Sequence, residues 1–190
     1  MRLFISLNSA WMGSFEAQVP DNIAKEIRRA MQDLCREFPT LSHIHIRPQD
    51  VHNEFAMATK SNTSVYVNEK LFSDEHLAKH AKEWDGLLVL PTAYGIIVHE
   101  CGHILDGQLM TKMGARKYNK WLDRWIEDRV GIWNTHTTPY GQESPFEFMA
   151  ETFSVHFLRH TANGAHVDFQ ASHLKIADEI WTEARQILGR

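Results

Sequence analysis

The stretch LLVLPTAYGIIVHECGHILDGQ, residues 87–108, is apolar on nearly every side. A helix of that kind is not stable on a surface and must run through the interior. It carries His99, Glu100, His103 and Asp106 with it. Polar groups taken out of water need partners, so their spacing carries information. On a helix, His99 and His103 stand one turn apart on the same face, where both imidazoles can address one metal ion. Glu100 is rotated by about 100° from His99, towards the open position of such a metal. There a carboxylate is placed to take a proton from an attacking water. Asp106 continues the histidine face and is placed to orient a ring from behind. Gly102, poor in an isolated helix, permits close packing. The plain alternative for His99 and His103 is a pair of hydrogen-bonded core histidines.

The rest of the chain suits one folded body. At 190 residues, with 43% hydrophobic and 23% charged residues, it is long enough to bury a sizeable core, and we read residues 1–190 as a single domain. The formal charge is −4 and the basic residues are scattered, which argues against nucleic acid as a partner. Cys35 and Cys101 are the only cysteines and Cys101 falls within the motif, so no disulfide framework is expected. The apolar start breaks at Asn8, short of a signal peptide, and no segment reaches the length of a membrane span. A cytoplasmic location is the expectation. The Asn62-Thr63-Ser64 sequon then carries no meaning.

Patterning organises the chain around the central helix. Ile23, Ile27, Met31, Leu34 and Phe38 recur at helical spacing, with Asp21 as the expected N-cap and Pro39 as the stop. SHIHIRP, NEFAMAT and SVYVN read as short strands, two of them a hairpin. DEHLAKHAKEW reads as a helix closed by Asp85-Gly86. ARKYNKWLDRWIEDRVGIW reads as another, with Trp121, Trp125 and Val130 inward. A turn-rich loop, NTHTTPYGQES, leads to helices over SPFEFMAETFSVHFLRH and SHLKIADEIWTEARQIL. The class is α+β.

A catalytic zinc needs a third protein ligand, and the extended motif that supplies one six residues on is absent, because Leu109 stands there. SPFEFMAE offers Glu147 and Glu151, one turn apart; one carboxylate can bind metal while the other holds a ligand histidine. The same residues form a capping box, with Ser144 as N-cap, Pro145 at N1 and Glu147 at N3, so Glu147 reads equally as cap or ligand. His136 is a rival third ligand. His43, His45, His52, His76, His80, His156, His160, His166 and His173 read as solvated or core residues, Cys101 as packing, and Trp121, Trp125 and Trp133 as core.

HECGHILD, followed after 33 residues by YGQESPFEFMAETFSVHF, resembles the anthrax lethal factor-like zincin metalloprotease domains, a family also found attached to phage head proteins. The shared features are His-Glu-x-Gly-His-x-x-Asp, Tyr-Gly, a Glu seven residues after the Tyr, and Ala-Glu-x-Phe. They cover residues 92–160; upstream, SVYVNEKLF looks like the family's edge strand. The resemblance implies a zincin fold with a small sheet and an active-site helix over a C-terminal helical lobe. It implies one zinc held by His99, His103 and Glu147, Glu100 as general base, Tyr140 steadying the oxyanion, and Asp106 and Glu151 in support. The implied activity is zinc-dependent hydrolysis of a protein or peptide substrate, laid along SVYVN by strand addition. The toxin regions for receptor docking and entry have no counterpart here. The reading from another class is a non-catalytic zincin-fold module, such as a phage particle component, for which a carboxylate at position 100 has no use.

Overall fold

The structure, a computed structural model, describes residues 19–48, 56–58, 63–68, 73–83, 90–126, 138–161 and 171–189. It is mostly helical with a small sheet, an α+β arrangement. Two compact units are distinguished: Met1–Asp85 with Pro91–Cys101, and Gly86–Leu90 with Gly102–Arg190.

The first unit opens with α1, Asp21–Glu37, which buries Ile23, Ala24, Ile27, Ala30, Met31 and Leu34 along one face. Each of the larger side chains gains about 1.5–3 kcal/mol from leaving water. The N-cap is Pro20, in extended conformation (ψ 143°), rather than the expected Asp21. Asp21 occupies the first turn, where its carboxylate complements the positive end of the helix dipole. After Phe38 leaves helical geometry, Pro39–His43 forms a 3-10 turn that leads into β1, His45–Pro48. Strands β2, Ala56–Ala58, and β3, Ser64–Val67, complete a sheet of order β1-β3-β2. β1 runs parallel to β3 with Ile46 opposite Val65, and β2 runs antiparallel to it with Met57 opposite Tyr66.

β3, the SVYV segment, is thus the central strand and not the edge expected from the sequence. Its Val65 and Val67, two residues apart and so on one face, are buried, while Tyr66 between them is half-buried. Helix α2, Asp74–Glu83, follows. The expected stop at Asp85-Gly86 lies outside the described residues.

Helix α3, Ala93–Met113, is the apolar element. It begins at Thr92, whose hydroxyl accepts from the Gly95 amide at 3.1 Å, because Pro91 holds the preceding chain out of helical geometry. Residues 87–89 of the expected helix lie outside the described residues, and the helix continues past Gln108. It ends at Gly114, left-handed at φ 75°, whose amide closes on the Met110 carbonyl at 2.9 Å. In the first unit α3 packs on α1: the Tyr94 hydroxyl donates to Asp33 at 2.9 Å and the Cys101 thiol meets the Met31 sulfur at 3.8 Å. Burial raises the Cys101 thiol well above its usual range, so it stays protonated as a packing group.

In the second unit α3 continues into α4, Ala115–Ile126, which buries Tyr118, Trp121 and Leu122. Trp125 is half-buried with its ring edge-on to Trp121, while Val130 and Trp133 lie outside the described residues. A 3-10 turn, Tyr140–Gln142, packs on α5, Pro145–Leu158. Helix α6, Ala171–Leu188, lies along α5 and seats Trp181 against Phe153, ring centroids 4.7 Å apart, with its Nε1 donating to Thr152 at 3.2 Å. No helix among the described residues is long and apolar enough to cross a membrane.

At Gly102 α3 lies directly against α5. A Cβ built there meets the Ala150 Cα at 2.9 Å, its carbonyl oxygen at 3.2 Å and the Phe153 Cβ at 3.2 Å. Alanine is the better helix former by about 1 kcal/mol, but overpacking against backbone costs about 1–3 kcal/mol. Gly102→Ala is therefore expected to lower stability in urea unfolding rather than raise it. A stabilised variant would mean that the helices part without cost.

Candidate metal centre

His99 and His103 project from one face of α3, and Glu147 comes from the first turn of α5. Their candidate ligand atoms all lie within 4.8 Å of one another, the one such group among the described residues. His103 Nε2 stands 3.3 Å from Glu147 Oε2. Two donors each about 2.1 Å from a tetrahedral ion are about 3.4 Å apart, so this pair already has the spacing of neighbouring ligands. Two imidazoles and a carboxylate form a donor set suited to zinc or a similar divalent ion, with a coordination position left over. The residues fit a metal.

The tension over Glu147 resolves at the level of atoms. Its backbone N–H donates to the Ser144 hydroxyl at 3.2 Å, and Ser144, extended at φ −159° and ψ 161°, caps α5 with Pro145 behind it. The side chain meanwhile reaches His103. The cap bond to Ser144 thus runs through the main chain, while the carboxylate lies beside His103.

Glu100 is 8% exposed, and its carboxylate accepts from the Ala58 amide at 2.6 Å. A charge-assisted hydrogen bond of this kind compensates a buried carboxylate and fixes its direction. Asp106 is buried and accepts a short hydrogen bond from the Tyr118 hydroxyl, itself buried. Burial pushes the Asp106 carboxyl up to about 6, against the opposing pull of the Tyr118 hydrogen bond and the nearby His103 charge. Burial beside that carboxylate also raises the Tyr118 hydroxyl, which remains a donor.

Glu151, 1% exposed, accepts from the Thr138 hydroxyl at 2.7 Å. Tyr140 is half-buried at the start of the 3-10 turn. His136, the rival ligand, lies outside the described residues, as do His52 and His166. Elsewhere His76 pairs with the Ser73 hydroxyl at 2.7 Å and His156 with Asp178 at 2.8 Å.

Three participants escape the sequence reading. Tyr118 stands twelve residues from Asp106 with no local pattern joining them. Thr138 is an ordinary loop residue in one dimension. Ala58 acts through its backbone. Comparison of the chain with protein-family models, with curated proteins and with solved structures finds no match.

Two measurements probe this arrangement. Glu147→Gln is expected to weaken zinc binding by more than about a hundredfold in a chelator competition, the upper end for a merely supporting carboxylate. Stability without metal should hardly change, since the main-chain cap survives; unchanged affinity would return Glu147 to capping alone. For Asp106, the folded-state carboxyl lies above its unfolded value of 3.8, so the native chain binds the extra proton between about pH 4 and 6. This group's penalty is therefore present above pH 6 and relieved as pH falls. In the metal-free protein, wild type should gain on Asp106→Asn between pH 8 and pH 4, by up to about 3 kcal/mol. A gap that stays constant across that range would contradict a buried, ionising Asp106.

Proposed function

We propose that the chain is a zinc-dependent metallopeptidase of the zincin type. The observation that carries the reading is a His99–His103–Glu147 donor set within 4.8 Å, with the Glu100 carboxylate held in place on the same helix. Zinc, when bound, supplies Lewis acidity that polarises a carbonyl and makes water a competent nucleophile near neutral pH.

The side chains supply the rest. Glu100 takes the proton from the attacking water and returns it to the leaving amine as the C–N bond breaks. Its partner, the Ala58 amide, keeps the carboxylate oriented for both transfers. Tyr140 donates its hydroxyl hydrogen to the oxyanion that develops on the scissile carbonyl. Asp106, held by Tyr118, supports His103 from within the protein.

The substrate in this reading is an extended stretch of protein or peptide. With β3 enclosed by its neighbours, strand addition moves to β2, the edge strand whose Ala58 amide already faces Glu100. Alternation along a strand then places the amide and carbonyl of Ala56 on the same outer side.

Zinc-loaded wild type is expected to cleave members of a mixed peptide library, with cleavage sites mapped by mass spectrometry. Glu100→Gln should retain zinc and fold, because Gln still accepts from the Ala58 amide, yet lose hydrolysis by about 10²- to 10⁴-fold. Loss of zinc along with activity would make Glu100 a ligand. A zinc-loaded wild type that cleaves nothing would favour the non-catalytic module.

A further inference from the structure

We infer that Thr138 is a positioning residue for Tyr140, joining the Tyr140 turn to the buried carboxylate of Glu151. The inference rests on the peptidase reading for the role of Tyr140, and on geometry alone for the clasp. A threonine hydroxyl has one hydrogen to give and lone pairs to receive. Here it gives to Glu151 Oε2 at 2.7 Å and receives from the Gly141 amide at 3.1 Å. The two bonds bracket Tyr140: one end of the bracket is the residue just after it, the other a side chain on α5.

The local chain adds stiffness. Pro139, between Thr138 and Tyr140, has φ −53° fixed by its ring, and its carbonyl accepts from the Gln142 amide at 3.1 Å. The Tyr140 carbonyl accepts from the Glu143 amide at 3.0 Å. Glu151 is one helical turn beyond Glu147, so one rigid helix carries both the proposed metal ligand and the anchor of the turn. The position of the Tyr140 backbone is thereby referred to Glu147, before any substrate arrives. A donor aimed at developing charge works best when it is already in place, and displacement by about 1 Å can cost about a hundredfold in rate. Glu151 therefore acts on the turn through Thr138.

The test uses the full-length, zinc-loaded chain as wild type, Thr138→Val and Thr138→Ser, with urea unfolding to verify that each is folded. Valine keeps the shape and removes both hydrogen bonds; serine keeps both. Hydrogen exchange read by mass spectrometry over residues 138–143 should be at least about tenfold faster in Thr138→Val and restored in Thr138→Ser. Peptide hydrolysis in Thr138→Val should fall by about ten- to a hundredfold in kcat, with KM and zinc affinity near wild type. In a Tyr140→Phe background the same change should cost less than about twofold, since the group being positioned is gone.

Unaltered exchange in Thr138→Val would overturn the clasp. Weakened zinc binding, or an equal loss in the Tyr140→Phe background, would overturn its action through Tyr140. A zinc-loaded wild type without hydrolysis would overturn the peptidase reading and the catalytic role of Tyr140 with it, while the exchange rates decide the clasp by themselves.

Discussion

The contact between Gly102 and Ala150 governs the second unit. With hydrogen as its only side chain, residue 102 lets the backbone of α5 lie against α3 at a distance that would otherwise be filled by a methyl group. That proximity is why a carboxylate in the first turn of α5 can come within 3.3 Å of an imidazole on α3. Helices held at the usual 8–10 Å axis separation by larger side chains leave a wider gap for a short Glu side chain to span. The glycine weakens the isolated helix, and the packing it admits outweighs that weakness. Phe153, which lines the contact, also stands edge-on to Trp181 of α6, so the same side chain joins the contact to the next helix.

Burial of acidic groups is the second organising constraint. Glu100, Asp106 and Glu151 are all nearly inaccessible, and each is met by a donor of a different kind: a main-chain amide, a phenol and an aliphatic hydroxyl. An interior carboxylate without such a partner is costly, so each of these three among the described residues depends on its donor. Each donor also fixes a direction. Directional carboxylates are what a metal centre and proton transfer require, whereas the apolar residues around them specify only that the region be dry.

Much of this was legible in the sequence, for reasons that can be named. The period of Ile23, Ile27, Met31 and Leu34 forces α1, and the all-round apolarity of the stretch 87–108 forces a buried helix, which the structure shows as α3. His99 and His103 share a face because helix geometry is local. Glu147 was ambiguous because a one-dimensional pattern assigns a residue one role, while the folded residue uses its amide for Ser144 and its carboxylate towards His103. Strand order was not legible. Alternation along SVYV says that the segment is a strand, but which neighbours flank it depends on long-range pairing, and β3 lies in the middle. Asp21 looked like a cap because it precedes an apolar period, yet Pro20 is extended and the helix starts one residue sooner. Tyr118 and Thr138 were invisible for a simpler reason: each meets its carboxylate across twelve or thirteen residues, at no spacing a helix or strand would signal.

The bond from Ala58 to Glu100 has a consequence for how this chain tolerates change. The donor is a main-chain N–H, which every amino acid except proline brings to the position. Side-chain replacements at residue 58 leave the partner of Glu100 in being, and only those too bulky for a half-buried site, or proline, remove it. In a saturation scan, position 58 would look permissive with a single chemical gap, and a residue that holds the Glu100 carboxylate would carry almost no signature in the letters of its own sequence. The opposite holds for Glu100, whose side chain supplies the acceptor. An interaction so divided passes its whole mutational burden to one side.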